Sequence, residues 1–422
     1  MTHDEDVGQL APPNRPSTGL ERNPMLNTIL QQQDDYFFAD DERLISVLAW
    51  IRNHADQLRR YGSEARLKAR LPLACVELLR SGGLFDLALN VERGGKGLTS
   101  AAQARALEEL ATIDASIAWC VMIGMDSGIY QGFLSPAIRT EIFPHAGIIS
   151  AGWIHPQGSA IDLGNGTCRV NGRWQFGSGI DHADVILGGV RFATKEGSDD
   201  WTWRIVILDK ADIKIEESWN TWGLQGSGSQ HYRADNVIVR LERTITLLDP
   251  KVEGPLNRPH DAIVRKMAGI PLGVAVGAIS AVASEVGRKT AELRSAREHP
   301  NDRVLNTIGR LTAELVALRS AVYSTLQSAW NIYKEAGTTP DERNAALVAT
   351  AAIRQRSFQT SRSLVIAAGD LLGAQAVYTA VGDLGARLSD LNVMAQHAVG
   401  QESLLDLAGN RILGGEASGP II

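Results

Sequence analysis

The chain changes its hydrophobic period twice. From 38 to 145 apolar residues recur at helical spacing. In DERLISVLAWIRNHADQLRR the positions Leu44, Ile45, Leu48, Ala49 and Ile51 share one face, and acidic residues lead the first turn. ARLPLACVELLRSGG follows, with Gly82 and Gly83 as its stop. The stretch AAQARALEELATIDASIAWCVMIGMDSGIYQGFL predicts two helices that meet near Ile113–Asp114–Ala115. The second is apolar almost all round, so it should be buried on most sides. From 147 to 248 the runs shorten and become β-branched and aromatic: CRVNGRWQFGSG, ADVILGGVRFA, WTWRIVILDK and DNVIVRLERTITLL. The steps Gly164–Asn165–Gly166 and Asn171–Gly172 predict turns. Helical periodicity returns over 259–297, 301–336, 341–369, 381–398 and a short 401–412. Breaks with capping residues fall at Pro300–Asn301–Asp302 and Thr338–Thr339–Pro340–Asp341. Long Ala- and Leu-rich helices with short connections predict an antiparallel four-helix bundle.

Helices, then strands, then long helices is not the alternation of a doubly wound fold. The pattern predicts an α+β protein in four parts: a flexible arm over 1–25, an N-terminal helical domain over 26–146, a central antiparallel β-domain over 147–250, and a C-terminal helical bundle over 251–422. Composition narrows the function classes more than the fold. The formal charge is −6 and no Lys/Arg stripe with interleaved aromatics occurs, so nucleic acid is not an expected partner. No uninterrupted apolar run reaches the length of about 18 residues that reads as a span, so no membrane is expected either. The acidic, Pro-rich start lacks the apolar stretch of a secretion signal. The three cysteines, Cys75, Cys120 and Cys168, are widely separated and form no CxxC, which predicts reduced, packed thiols, no metal site and a cytoplasmic protein.

Several segments carry candidate chemistry. Glycines around Ser178 let backbone approach a ligand closely. The cluster Gly223–Leu224–Gln225–Gly226–Ser227–Gly228–Ser229 offers backbone N–H groups that could cradle phosphate, although it is not a dinucleotide fingerprint leading into a helix. Asp390 and His397 are two helical turns apart on the predicted helix over 381–398, so they share a face. A histidine titrates near neutrality and can shuttle a proton. Trp174 reads equally well as β-core, and Arg173 and His182 as structural residues.

Four segments together resemble a known family. These are Leu107–Glu108–Glu109–Leu110–Ala111 with Ser116–Ile117–Ala118–Trp119; the run Asn171–Gly172–Arg173–Trp174–Gln175–Phe176–Gly177–Ser178–Gly179–Ile180–Asp181–His182–Ala183–Asp184; Trp222 to Ser229 with Ala234–Asp235–Asn236–Val237; and Arg387–Leu388–Ser389–Asp390 with His397. Across roughly 40–415 the chain resembles the acyl-CoA dehydrogenase superfamily, and within it the flavin-dependent two-component monooxygenases, a branch that includes dibenzothiophene monooxygenases and 4-hydroxyphenylacetate and steroid hydroxylases. The resemblance implies the acyl-CoA dehydrogenase fold. It also implies the oxygenase component of a two-component system, in which a separate NAD(P)H:flavin reductase delivers reduced flavin (FMN or FAD). O2 then acts through a C4a-hydroperoxyflavin on a small apolar or aromatic substrate.

By the same resemblance His397 and Ser178 are the catalytic candidates. Phe176, Gly177, Ser178, Trp222, Arg294, Arg297, Gly373 and Gln375 are the cofactor contacts, with the arginines reaching the phosphate end of a neighbouring subunit's flavin in a homotetramer. Trp119, Met122, Met125 and Tyr130 are the candidate substrate-pocket residues, which read equally as helix core. The alternative is an acyl-CoA dehydrogenase. That activity needs a carboxylate base over the substrate, and the two family positions read Ala376–Val377–Tyr378–Thr379–Ala380 and Arg265, neither with a carboxylate. The dehydrogenases' R-x-x-F-G segment, which helps hold FAD, is also missing.

Overall fold

Asn23 accepts a hydrogen bond from the Leu26 N–H and Pro24 opens the first helix, so helix begins two residues inside the expected arm. The computed structural model describes residues 23–257, 261–378 and 381–415, and residues 1–22 of the expected arm lie outside them. The N-terminal helices are α1 (Pro24–Phe38), α2 (Glu42–Asn53), α3 (Ala55–Lys68), α4 (Leu73–Ser81), α5 (Ser100–Ile113), α6 (Ala115–Gly124), α7 (Ser127–Tyr130) and α8 (Pro136–Ile142). Asp114 ends α5 in an extended conformation and caps α6 by accepting the Ile117 N–H at 2.9 Å, the junction the sequence indicated.

The strands are β1 (Ser150–Asp162), β2 (Thr167–Gly177), β3 (Val185–Ala193), β4 (Thr202–Asp209), β5 (Lys214–Glu216), β6 (Gln230–Arg240) and β7 (Thr244–Ile245), in the spatial order β5-β6-β2-β1-β3-β4-β7. The sheet is mixed rather than wholly antiparallel, because β1 and β3 pair in parallel from Ser150↔Val185 to Ile161↔Ala193. No hairpin joins β2 to β3. Residues 178–184 cross the start of β1 instead, where the Asp184 N–H donates to the Ile149 carbonyl. Gly164–Asn165–Gly166 is the expected β1–β2 turn, with Gly164 and Gly166 at φ 72° and 84°. Asn171–Gly172 is not a turn. It lies inside β2 at a shift of register against β6, and Asn171 accepts the Asn236 N–H.

Trp174 gives that shift its reason. The indole is fully buried, stacks on Tyr232 and donates to the Gly189 carbonyl at 2.7 Å. Gly158, Gly172 and Gly188 surround it so closely that a Cβ on any of them would stand 2.4–2.8 Å from the ring. The core reading of Trp174 is the one the structure supports.

The remaining helices are α9 (Ala262–Arg265), α10 (Gly269–Ser295), α11 (Asp302–Lys334), α12 (Pro340–Asp370), α13 (Leu384–Met394) and α14 (Ser403–Ile412). A Thr339/Glu342 capping box starts α12. The stretch Ala262–Ser295 is long and apolar enough to cross a membrane by composition, but 89% of its most apolar window is buried inside the protein. A closed charge network ties α1, α5 and α11. Arg105 pairs with Asp34 and Glu109, Arg319 pairs with Asp34 and Glu108, and Tyr323 donates to Glu108. Each of these buried charges has an opposite partner, as burial demands. The three cysteines are free and buried.

Gly158→Ala places a methyl 2.4 Å from the Trp174 ring. It is expected to lower stability by about 1–3 kcal/mol, the usual range for overpacking, read as a reduced urea midpoint at unchanged slope. An unchanged midpoint would contradict this packing.

Candidate active site

Three separate parts of the chain meet at His397. Its ring lies 5.7 Å from the ring of Trp119 on α6 and 5.9 Å from that of Trp153 on β1, both edge-on. Trp153 also faces Phe176, at 5.9 Å, and Phe176 in turn meets His231 at 5.8 Å and Trp219 at 6.4 Å. Trp153 sits at the start of a register shift in β1, between Trp153 and Gly158, which frees this part of the strand from regular pairing. Sequence reasoning missed Trp153. Its signal was an aromatic residue just ahead of Pro156, where a regular strand is hard to continue.

The C-terminal helix does not carry His397 as expected. Helix α13 stops at Met394, and His397 stands in the turn beyond it at φ −63°, ψ 139°. Asp390 and His397 therefore do not share a helical face. In the turn the Val399 N–H donates to His397 Nδ1 at 3.3 Å, which leaves the ring proton on Nε2. Burial first, then the nearby Arg354 cation, push the imidazole down to about 4. At neutral pH this histidine is a fixed, uncharged donor rather than a titrating one.

Across from it, Ser178 is the end of a hydroxyl chain. Trp119 Nε1 donates to Ser178 Oγ at 3.1 Å, Ser178 Oγ lies 2.7 Å from Ser229 Oγ, and Ser229 Oγ lies 2.8 Å from Ser227 Oγ. Ser178 Oγ is thus held between the Trp119 indole N–H and the Ser229 hydroxyl. Phe176, two residues earlier, holds a left-handed backbone at φ 60° and leaves its ring 45% exposed. Such a conformation is uncommon for a bulky residue and concentrates at functional sites.

The glycine segment is neither flexible nor open. Its residues from Gly226 to Ser229 are buried, and the Leu224 N–H donates to Asp390 Oδ1 on α13 at 2.6 Å. A Cβ on Gly223 would stand 2.2 Å from the Ser389 carbonyl oxygen, so only glycine allows this approach. The Ser227 N–H turns inward to the Leu224 carbonyl. Two of the backbone N–H groups expected to cradle phosphate, those of Leu224 and Ser227, are thus occupied within the protein. Asp390 is pushed up to about 7, by burial first and then by Asp114, against the pull of the Leu224 N–H and of Arg66 and Arg387.

Other sequence candidates lie elsewhere. Met122 and Tyr130 are packed in the interior, as is Met125. Trp222 is 63% exposed beside the pinned Gly223. Arg294 and Arg297 are exposed at the end of α10 and just beyond it, and Gly373 and Gln375 are exposed in a turn after α12. Lys289 of α10 donates to Gln375, which ties α10 to the turn after α12. His182 is half-buried with its ring against Gly179 and is pushed down to about 4 by desolvation, and Arg173 pairs with Glu216 at the surface. An open groove of about 600 Å³ lined by Asp34, Arg105, Glu109 and Arg319 is a separate place, with its charges paired among themselves.

The Asp390 carboxyl keeps its proton in the folded chain up to about 7, against 3.8 ordinarily. Its contribution to stability is therefore full below about pH 4 and lost as pH rises through about 7. Asp390→Asn keeps an acceptor for Leu224 and removes the titration, so the gap between stability at pH 5 and pH 8 should narrow in denaturant melts. Asp390→Ala strands a buried N–H and should cost roughly 1–3 kcal/mol at both values. An identical pH slope in wild type and Asp390→Asn would refute the assignment.

No family model matches the chain. It is 26% identical over 341 residues to an indole-3-acetate monooxygenase of Acinetobacter baumannii, covering 79% of this chain and 85% of that protein. It is 24% identical over 410 residues to the oxygenase component of an FADH2-dependent resorcinol hydroxylase of a Rhizobium species, covering 89% and 95%. In structure it superimposes on 3-HSA hydroxylase from Rhodococcus sp. RHA1 with a TM-score of 0.80 at 18% identity, over 89% of this chain and 99% of that one. In fold and in sequence the chain resembles the flavin-dependent monooxygenase branch of the acyl-CoA dehydrogenase superfamily.

Proposed function

We propose that this protein is the oxygenase component of a two-component flavin-dependent monooxygenase that oxygenates a small aromatic substrate. The observation that carries the reading is the half-exposed Phe176, held at φ 60° two residues before Ser178, whose hydroxyl is bonded by Trp119, the indole that also packs on the His397 ring. These residues fit a flavin. Its flat ring needs an apolar face, a donor at its polar edge and a partner able to hydrogen-bond without giving up a charge. When bound, reduced flavin activates O2, places one oxygen atom on the substrate and releases the other as water.

The chain's own groups have distinct tasks. Phe176 and Gly177 form the wall, and Ser178 donates to the polar edge of the ring. His397 Nε2–H holds the oxygen side without titrating. Trp119 and Trp153 keep His397 in place and exclude water. The first position at which a dehydrogenase carries its base reads Ala376–Val377–Tyr378–Thr379–Ala380 and holds no carboxylate. Arg265, at the second dehydrogenase position, is buried against Asp261.

The partner of this reading is a separate NAD(P)H:flavin reductase in the cytoplasm, supplying FMN or FAD. We assign Arg294, Arg297, Gly373 and Gln375 to the phosphate end of a neighbouring subunit's flavin in a homotetramer. The exposure of all four, and the hydrogen bond from Lys289 of α10 to Gln375, support that role.

The test is anaerobic mixing of the protein with reduced FMN or FAD, followed by O2. O2 consumption should run ahead of hydrogen peroxide release, and with substrate one atom from 18O2 should appear in the product. Stoichiometric peroxide as fast as O2 is consumed would refute the proposal. His397→Ala should release peroxide roughly ten- to a hundredfold faster, the worth of a lost hydrogen bond to a charged group, with the far-UV spectrum unchanged. Because the imidazole is held near 4, the wild-type release rate should show no step from a histidine between about pH 6 and 8. Such a step, absent from His397→Ala, would contradict the assigned state.

A further inference from the structure

Four arginines are buried to 3% exposure or less among the described residues: Arg105, Arg265, Arg319 and Arg354. The first three each pair with a buried carboxylate. Arg354 makes no ion pair among the described residues. Its Nε donates to the Val399 carbonyl at 3.4 Å, and its Nη1 and Nη2 have no hydrogen-bond partner. Asp261, the carboxylate that attracts it, is held by Arg265 and by Thr350. A buried cation without its own counter-charge is unfavourable, and an apolar side chain would serve the core as well.

The use of a guanidinium here lies in the turn after α13. That turn rests on one face of α12, at two residues a helical turn apart. Arg354 holds the Val399 carbonyl, and the Phe358 ring lies so near Gly400 that a Cβ there would stand 3.1 Å from it. Helix α12 is itself tied down, because Ser357 donates to the Ala268 carbonyl at 2.8 Å just ahead of α10. Val399 is thus pinned by its buried side chain and by its carbonyl, and its N–H is the group that donates to His397 Nδ1. Turning Val399 would remove that donor and open the other neutral tautomer to the ring. The guanidinium charge works in the same direction, since it opposes a second proton on the imidazole. The ring's neighbours from α6 and β1, the indoles of Trp119 and Trp153, do not titrate, and behind Arg354 the charges of Arg265 and Asp261 pair with each other.

We propose that Arg354 is a positioning residue for His397: by holding Val399 it keeps the ring proton on Nε2, and by its charge it excludes a second proton, so that the site has a neutral donor of fixed direction. The worth of that donor to oxygen chemistry rests on the oxygenase reading above. Control of the ring by Arg354 does not, and it is testable without flavin or O2.

The experiment is nitrogen NMR of the flavin-free protein carrying 15N-histidine, with His397→Ala identifying the ring signals. In wild type Nε2 should be protonated and Nδ1 bare, with no titration between about pH 5 and 8. Arg354→Gln keeps a donor for Val399 and drops the charge. Its tautomer should persist while the titration midpoint rises by roughly 1 unit, burial still holding it below the ordinary value. Arg354→Lys keeps the charge and should keep the wild-type midpoint. Arg354→Met drops both donor and charge, so signals of the Nδ1-protonated form should appear. That variant should melt no lower than wild type, because a buried charge without a partner is gone. Should Arg354→Met fail to fold, Arg354→Gln against Arg354→Lys still decides. An arginine that only fills space would leave tautomer and midpoint alone in every variant. A wild-type ring protonated on Nδ1 or titrating near neutrality, an unchanged tautomer in Arg354→Met, or one midpoint shared by Arg354→Gln and Arg354→Lys overturns the proposal. The predicted ring changes in a protein that never oxygenates would leave the role of Arg354 standing and remove the oxygenase reading. Oxygenation by a protein whose ring ignores Arg354 would do the reverse.

Discussion

Asp390 accepts the Leu224 N–H at 2.6 Å, and through that contact helix α13 is fastened to the loop that leads into β6. The same loop supplies Ser227 and Ser229, which order the Ser178 hydroxyl. The same helix ends three residues before His397. One hydrogen bond between a helix and a glycine loop therefore sets how the sheet-borne hydroxyl and the bundle-borne histidine face each other. Gly223 permits it, because any side chain there would collide with the Ser389 carbonyl. A site shared between distant segments needs a fastening of this kind, since a small displacement would separate the donors.

Burial then decides what each group can do. His397, far from carboxylates and close to Arg354, stays neutral and offers a hydrogen bond of constant character. Asp390, buried beside Asp114, keeps its proton to near neutrality yet still accepts from backbone. The two groups look alike in sequence, as polar residues on one late helix. Their environments assign one to holding ligand and the other to holding structure.

The order of helices, strands and helices was legible because period and length differ so clearly among the three zones, and Asp114 marked the α5–α6 junction as an extended cap. Local turn chemistry misled at Asn171–Gly172, where the glycine serves the buried Trp174 ring rather than a reversal of the chain. The parallel β1–β3 pair was not readable, since it depends on where residues 178–184 cross. The helix end at Met394 was hidden by an apolar, helix-forming sequence that continues past it. Phe176 and Ser178 were visible through the motif they share. Trp153 and Arg354 were not, because nothing in a helix or strand pattern says which arginine lacks a counter-charge or which indole lacks an acceptor. The burial of Asp34, Glu108 and Glu109 in ion pairs with Arg105 and Arg319 depends on tertiary packing among α1, α5 and α11, which no local pattern states.

The account turns on a flavin ring lying between the Phe176–Ser178 wall and His397. The most direct measurement is an anaerobic structure of the protein soaked with reduced flavin. The isoalloxazine should rest against Phe176, with Ser178 Oγ within hydrogen-bond distance of its polar edge and His397 Nε2 facing its oxygen-reactive side. A flavin bound elsewhere, or a ring turned so that His397 lies beyond contact, would contradict it.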